Sequence, residues 1–116
     1  MKNLLIIDDD ESITTLLKKY LTKMGHNVVT TNNGGDGLNM FINVQYFDVV
    51  VTDIDMPGLN GNDVARLLRR SKKRNTPIIA ISGAEFLDIQ NDLFDEVLTK
   101  PFRLETLSKI INNFLE

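Results

Sequence analysis

Five short, continuously apolar runs recur along this chain: Leu4-Leu5-Ile6-Ile7, Val28-Val29, Val49-Val50-Val51, Ile78-Ile79-Ala80-Ile81 and Val97-Leu98. A strand with one wet face alternates apolar and polar residues, whereas a strand covered on both faces does not. Runs of this kind point to a parallel sheet, and parallel strands need long crossovers, usually helical. The intervening sequence supplies them. Ile13, Leu16, Leu17, Tyr20, Leu21 and Met24 form one helical stripe, with Gly25 as its stop. Leu38, Phe41 and Ile42 mark a short second helix, and Val64, Leu67 and Leu68 a third. Leu104, Leu107, Ile110, Ile111, Phe114 and Leu115 give the clearest stripe. Residues 83–95 hold Phe86, Leu87, Ile89 and Leu93 with only a weak period, which predicts a short or irregular fourth helix.

Strand and helix thus alternate five times, the pattern of an α/β fold. Right-handed crossovers leave few arrangements, and the expectation is a flavodoxin-like five-stranded parallel sheet of order 2-1-3-4-5, with about five helices on both faces. The 116 residues suit one domain over 1–116, with no output domain expected. The absence of Cys excludes disulfides, thiolate metal sites and cysteine nucleophiles. A formal charge of -3 gives no global drive toward nucleic acid. No apolar run approaches the ~20 residues of a membrane span, and the opening MKNLLIIDDD does not read as a signal peptide. The expected location is the cytoplasm, without membrane insertion or direct nucleic-acid contact.

The residues that follow each strand carry the chemistry. Asp8, Asp9 and Asp10 follow strand 1; Asp53, with Asp55 two residues on, ends strand 3; Ser82-Gly83 ends strand 4; Thr99-Lys100-Pro101 ends strand 5. A parallel sheet brings all of these to one edge, where such folds bind ligands. Carboxylates packed together repel and raise one another's pKa. A hard divalent cation resolves that repulsion, and Mg²⁺ favours one or two carboxylates, waters and a phosphate oxygen. Lys100 adds a positive charge, Ser82 a hydroxyl donor, and Gly83 room and a backbone N–H. A carboxylate nucleophile with these neighbours is equipped for phosphoryl transfer to an aspartate, Asp53. Asp10 reads as a helix N-cap. His26 falls in a turn far from the acids. Arg69, Arg70, Lys72, Lys73 and Arg74 read as a solvated helix end.

The segments LLIIDDD at 4–10, DVVVTDIDMPGLNG at 48–61, IIAISG at 78–83 and LTKPF at 98–102 resemble the receiver domain of two-component response regulators, in order and over the whole chain. The resemblance implies a chemotaxis-regulator-like, stand-alone phosphoprotein. Asp53 would accept a phosphoryl group from a histidine kinase or a histidine phosphotransfer protein of a phosphorelay. Asp8 and Asp9 would hold Mg²⁺ or Mn²⁺, with Asp9 the more direct ligand, together with Asp53 and the backbone carbonyl of Asp55. Ser82 and Gly83 would meet the phosphoryl oxygens in the active state, Lys100 would pair with Asp53, and the Lys100–Pro101 peptide would be cis. Pro57 and Gly61 would shape the loop after Asp53. The domain would be regulatory rather than an enzyme, dephosphorylating itself slowly and switching the binding of a downstream protein whose identity the sequence does not give.

Two departures from the family pattern bear on output. The family usually carries Tyr or Phe three residues before the site lysine, as a rotamer switch; here that residue is Val97. The interval from Ser82 to Lys100 is also roughly one helical turn shorter than usual. These features give weight to an alternative, an atypical receiver that acts as an interaction module without phosphorylation. A haloacid-dehalogenase-like phosphatase, suggested by Asp53-Ile54-Asp55, fails on chain order, because that family opens with its nucleophile. Ala84 offers no polar group to orient an attacking water.

Overall fold

The computed structural model describes residues 2–83 and 88–116. Strands β1 (Asn3–Ile7), β2 (Asn27–Thr31), β3 (Val49–Asp53), β4 (Ile78–Ser82) and β5 (Glu96–Thr99) form one parallel sheet in the order β2-β1-β3-β4-β5. Register is set by pairs such as Leu5 with Val29 and with Val50, and Ala80 with Val97. Successive side chains of a strand point to opposite faces. Leu4 and Ile6 therefore pack with Leu17 and Leu21 of α1 (Glu11–Lys23) and with Leu107 and Ile111 of α4 (Leu104–Leu115). Leu5 and Ile7 pack on the other face, with Leu38 of α2 (Gly34–Asn39) and with Val64 and Leu68 of α3 (Gly61–Arg69).

The continuous apolar runs become β1, β3 and β4, which are almost wholly buried. The outer strand β5 differs, with Glu96 and Thr99 exposed and Val97 half-buried. An edge strand has a neighbour on one side only, and the two outer strands, β2 and β5, carry the shortest apolar runs, Val28-Val29 and Val97-Leu98. Helix α1 stops where expected, because Gly25 takes φ +95°, a conformation that side-chain-bearing residues rarely adopt. Its stripe is narrower than the spacing implies, since Leu16 and Met24 stand about half exposed. The second helix is longer than its apolar markers suggest, because α2 runs on into a π-helical turn over Met40–Val44.

Four α-helices are present among the described residues, with α2 and α3 on one face and α1 and α4 on the other. The irregular fourth connection falls partly outside the described residues, as do Ala84, Phe86 and Leu87. What is described there is one short 3₁₀ turn, Asn91–Leu93. No helix is long and apolar enough to cross a membrane, among the described residues.

Candidate functional site

All five strands point the same way, so the residues that end β1, β3, β4 and β5 meet at one sheet edge. Asp53 is the last residue of β3 and is 5% exposed. Its backbone is fixed on both sides: the Ile54 N–H donates to the Ile81 carbonyl at 2.9 Å, and the Thr52 hydroxyl donates to the Asp53 carbonyl at 3.0 Å. The loop beyond it folds back so closely that a Cβ on Gly61 would lie 2.5 Å from the Asp53 carbonyl oxygen. Glycine is therefore required at position 61. Helix α3 starts there, capped by a reciprocal pair in which the Asn60 side chain accepts from Asp63 N–H and the Asp63 carboxylate accepts from Asn60 N–H.

Asp8 lies beside Asp53 and is 2% exposed. One carboxylate oxygen accepts the Asp10 N–H at 2.9 Å; the other, Oδ2, is buried without a hydrogen-bond partner. The Asp10 side chain instead caps α1 by accepting from Ser12 N–H, and that bonding with Ser12 holds its carboxyl below the usual range. Lys100 reaches in from the end of β5, with Nζ 3.4 Å from Asp53 Oδ1 and 3.7 Å from Asp8 Oδ2. It is positioned by its own N–H, which donates to the Ser82 carbonyl at 2.7 Å, and it precedes a cis peptide to Pro101. Ser82 is buried at the end of β4, next to half-buried Gly83.

One lysine faces two buried carboxylates, and burial dominates. It pushes the Asp53 carboxyl up to about 6, with the charge of Asp8 adding to the rise and Lys100 opposing it. Asp8 is raised for the same main reason, against the pull of the Asp10 N–H and Lys100. Asp8, Asp9 and Asp53 each offer an oxygen within 4.8 Å of the other two. A buried Asp8 oxygen without a hydrogen bond and an all-carboxylate donor set suit a hard divalent cation. The Asp55 carboxylate is exposed and stands outside this group. His26 is at the opposite end of the sheet, after α1, and burial holds its imidazole below the usual range.

Two polar residues matter more than their sequence context suggests. Asn62, in the first turn of α3, is 5% exposed; its amide nitrogen donates to the Asp88 carbonyl at 2.6 Å and its oxygen accepts the Gln90 N–H at 3.0 Å. Arg69 corrects the reading of a uniformly solvated basic helix end. Its guanidinium donates to the carbonyls of Leu93, Arg74 and Thr76 and pairs with Asp95 at 2.9 Å. Carbonyls left free where a helix and two loops end attract the cation inward. No sequence pattern marks either role, because most of the partners are backbone atoms, which any residue type supplies.

The model of the response regulator receiver domain family matches residues 4–112. The chain is 34% identical over 114 residues to the autoinducer 1 sensor kinase/phosphatase LuxN of Vibrio harveyi, covering 96% of this chain and 13% of that protein. It is 38% identical over 98 residues to the transcriptional regulatory protein AfsQ1 of Streptomyces coelicolor, covering 84% of this chain and 40% of that one. It thus spans less than half the length of either relative. Among solved structures, a response regulator receiver domain protein from Clostridium thermocellum superposes with a TM-score of 0.90 at 32% identity, over 99% of this chain and 94% of that one. The response regulator TrrA from Thermotoga maritima, in complex with Mg²⁺–BeF, gives 0.87 at 31%, over 98% and 99%. This chain belongs to the response regulator receiver domain family of two-component systems, a regulatory family.

Proposed function

We propose that this chain is a phosphoacceptor switch, taking a phosphoryl group onto Asp53 from the phosphohistidine of a kinase or phosphotransfer protein. The observation that carries the reading is the buried Asp53 carboxylate, with Lys100 Nζ 3.4 Å from Oδ1 and Asp8 beside it. A carboxyl with a pKa near 6 is mostly ionised at neutral pH and so is a competent nucleophile. An Asp53 oxygen attacks the phosphorus in line, the P–N bond breaks, and its electron pair returns to the imidazole nitrogen. The product is an acyl phosphate on Asp53. Lys100 offsets the charge that gathers on the phosphoryl oxygens, and the Ser82 hydroxyl and Gly83 N–H donate to them once transfer is complete.

Asp8, Asp9, Asp53 and the Asp55 carbonyl would hold Mg²⁺ or Mn²⁺, which supplies positive charge that lets a phosphate approach a crowded acidic site. The phosphoryl–Ser82 contact then biases β4 and its following segment toward a second arrangement, which changes binding of a downstream protein. Val97 is half-buried and carries no ring, so this switch works through the connection itself rather than by turning an aromatic at that position. Spontaneous hydrolysis would be slow, and the domain acts where its kinase does, in the cytoplasm.

Incubation with Mg²⁺ and acetyl phosphate tests the proposal. The expected result is a single phosphoryl adduct by intact mass, lost in Asp53→Asn and in the absence of the metal. An unmodified wild-type protein, together with no response to a beryllofluoride mimic, would leave a phosphorylation-independent interaction module as the better reading.

A further inference from the structure

The basic segment at the end of α3 lies away from the acidic edge of the sheet. Arg66 pairs with Asp63, and Arg69 is committed to Asp95 and to backbone carbonyls. Arg70, Lys72 and Arg74 have no carboxylate within ion-pair distance, among the described residues. Arg70 and Lys72 line a cleft of about 490 Å³ whose apolar wall is Ile42, from the π-turn, and Leu67, from α3. Ile42 is 48% exposed and Leu67 39%. Lys73 crosses from the cleft to the exposed Tyr46, with Nζ 5.9 Å from that ring and 5.6 Å from Phe41, and donates to the Phe41 carbonyl at 3.3 Å. Lone surface apolar residues are ordinary, but an apolar recess edged by unpaired cations is an interaction signature. The π-turn that carries Ile42 is itself a distortion found frequently at functional sites.

We propose that this cleft is a docking site for an acidic segment of a partner protein, which inserts one bulky apolar side chain between Ile42 and Leu67 and sets carboxylates against Arg70 and Lys72. Charge complementarity chooses the occupant: in a chain of net charge -3, unpaired cations collect around an apolar floor. The recess is concave, so it receives a side chain, whereas a bilayer surface asks for apolar groups that protrude. The cations edge a hole rather than follow a line, unlike a track for nucleic-acid phosphates. Helix α3 starts beside Asp53 and ends at the opposite sheet edge, so a partner seated there leaves the phosphoacceptor free.

Selection of a random phage-displayed peptide library on the full chain, with counter-selection on an Arg70→Glu/Lys72→Glu variant, tests this. The variant keeps Lys73 and its contacts and is checked for an unchanged circular dichroism spectrum and an unchanged acetyl phosphate adduct. Expected peptides carry two or more Asp or Glu around a Leu, Ile, Phe or Trp. They bind the variant roughly tenfold more weakly, lose affinity as salt rises, and shift the methyl signals of Ile42 and Leu67. Enrichment of peptides without acids, equal affinity for both proteins, or no enrichment at all overturns the proposal. So does binding of phosphatidylserine vesicles or a short DNA duplex that the double variant abolishes while no acidic peptide binds.

Discussion

At the carboxyl edge of the sheet, Asp8 and Asp53 are buried side by side with a single lysine between them, and one Asp8 oxygen has no hydrogen bond. Along α3, Asn62 and Arg69 are also drawn inward, yet each finds its bonds: Asn62 ties the segment at 88–90, and Arg69 ties Leu93, Arg74, Thr76 and Asp95. The same physical rule, that a buried polar group costs free energy unless it is paired, gives opposite outcomes a short distance apart. The satisfied cluster ties residues 88–95 to α3. The unsatisfied one is stored repulsion, relieved by whatever the site takes up. Substitutions should therefore destabilise the first cluster and stabilise the second.

The largest effect belongs to Arg69→Met, which leaves the carbonyls it serves without a donor. A loss of about 3 kcal/mol in unfolding free energy is expected from urea titration. A loss below about 0.5 kcal/mol would mean that Arg69 is no more than the surface cation its sequence context suggests. Asn62→Leu comes next, at about 2 kcal/mol, because the Asp88 carbonyl and Gln90 N–H lose their partner. Amide exchange should show Gln90 deprotected before the sheet is; equal protection in both proteins would contradict the clamp.

The opposite sign is expected for Asp53→Asn in metal-free buffer. The folded protein holds the Asp53 proton up to about 6, against an ordinary value of 3.8. The fold thus binds that proton more tightly than the unfolded chain does, and this group's contribution to stability falls as pH rises from 3.8 to about 6 and stays low above it. At neutral pH the Asn variant should be about 1–2 kcal/mol more stable than wild type. The gap should close as pH falls below 3.8, where both side chains are neutral. A gap that does not change with pH would place the gain somewhere other than in relief of charge.

This contrast also explains what could be read from the chain in advance. Parallel strands share one direction, so residues that merely follow apolar runs, such as Asp8, Asp53, Ser82 and Lys100, can be assigned to one edge before any coordinates exist. The clamp residues carry no such mark. Asn62 in the first turn of a helix and Arg69 in its last look like ordinary surface positions, and the returning chain at 88–95, with the turn at 74–76 for Arg69, gives them partners. The helical stripes are broader in the sequence than in the core: Leu16 and Leu67 keep the period of their helices yet stand partly exposed. The π-turn after α2 has no mark in the apolar spacing, which Phe41 and Ile42 keep through it.

The central claim, that the unsatisfied acidic edge exists to take up a phosphoryl group at one carboxylate, is tested most directly by locating the modification. After treatment with Mg²⁺ and acetyl phosphate, reduction with borohydride converts an acyl phosphate on aspartate to homoserine, and peptide sequencing by mass spectrometry reads its position. Homoserine at position 53 alone is the predicted result. Homoserine at 8, 9 or 55, or none in a protein that remains folded, would contradict it.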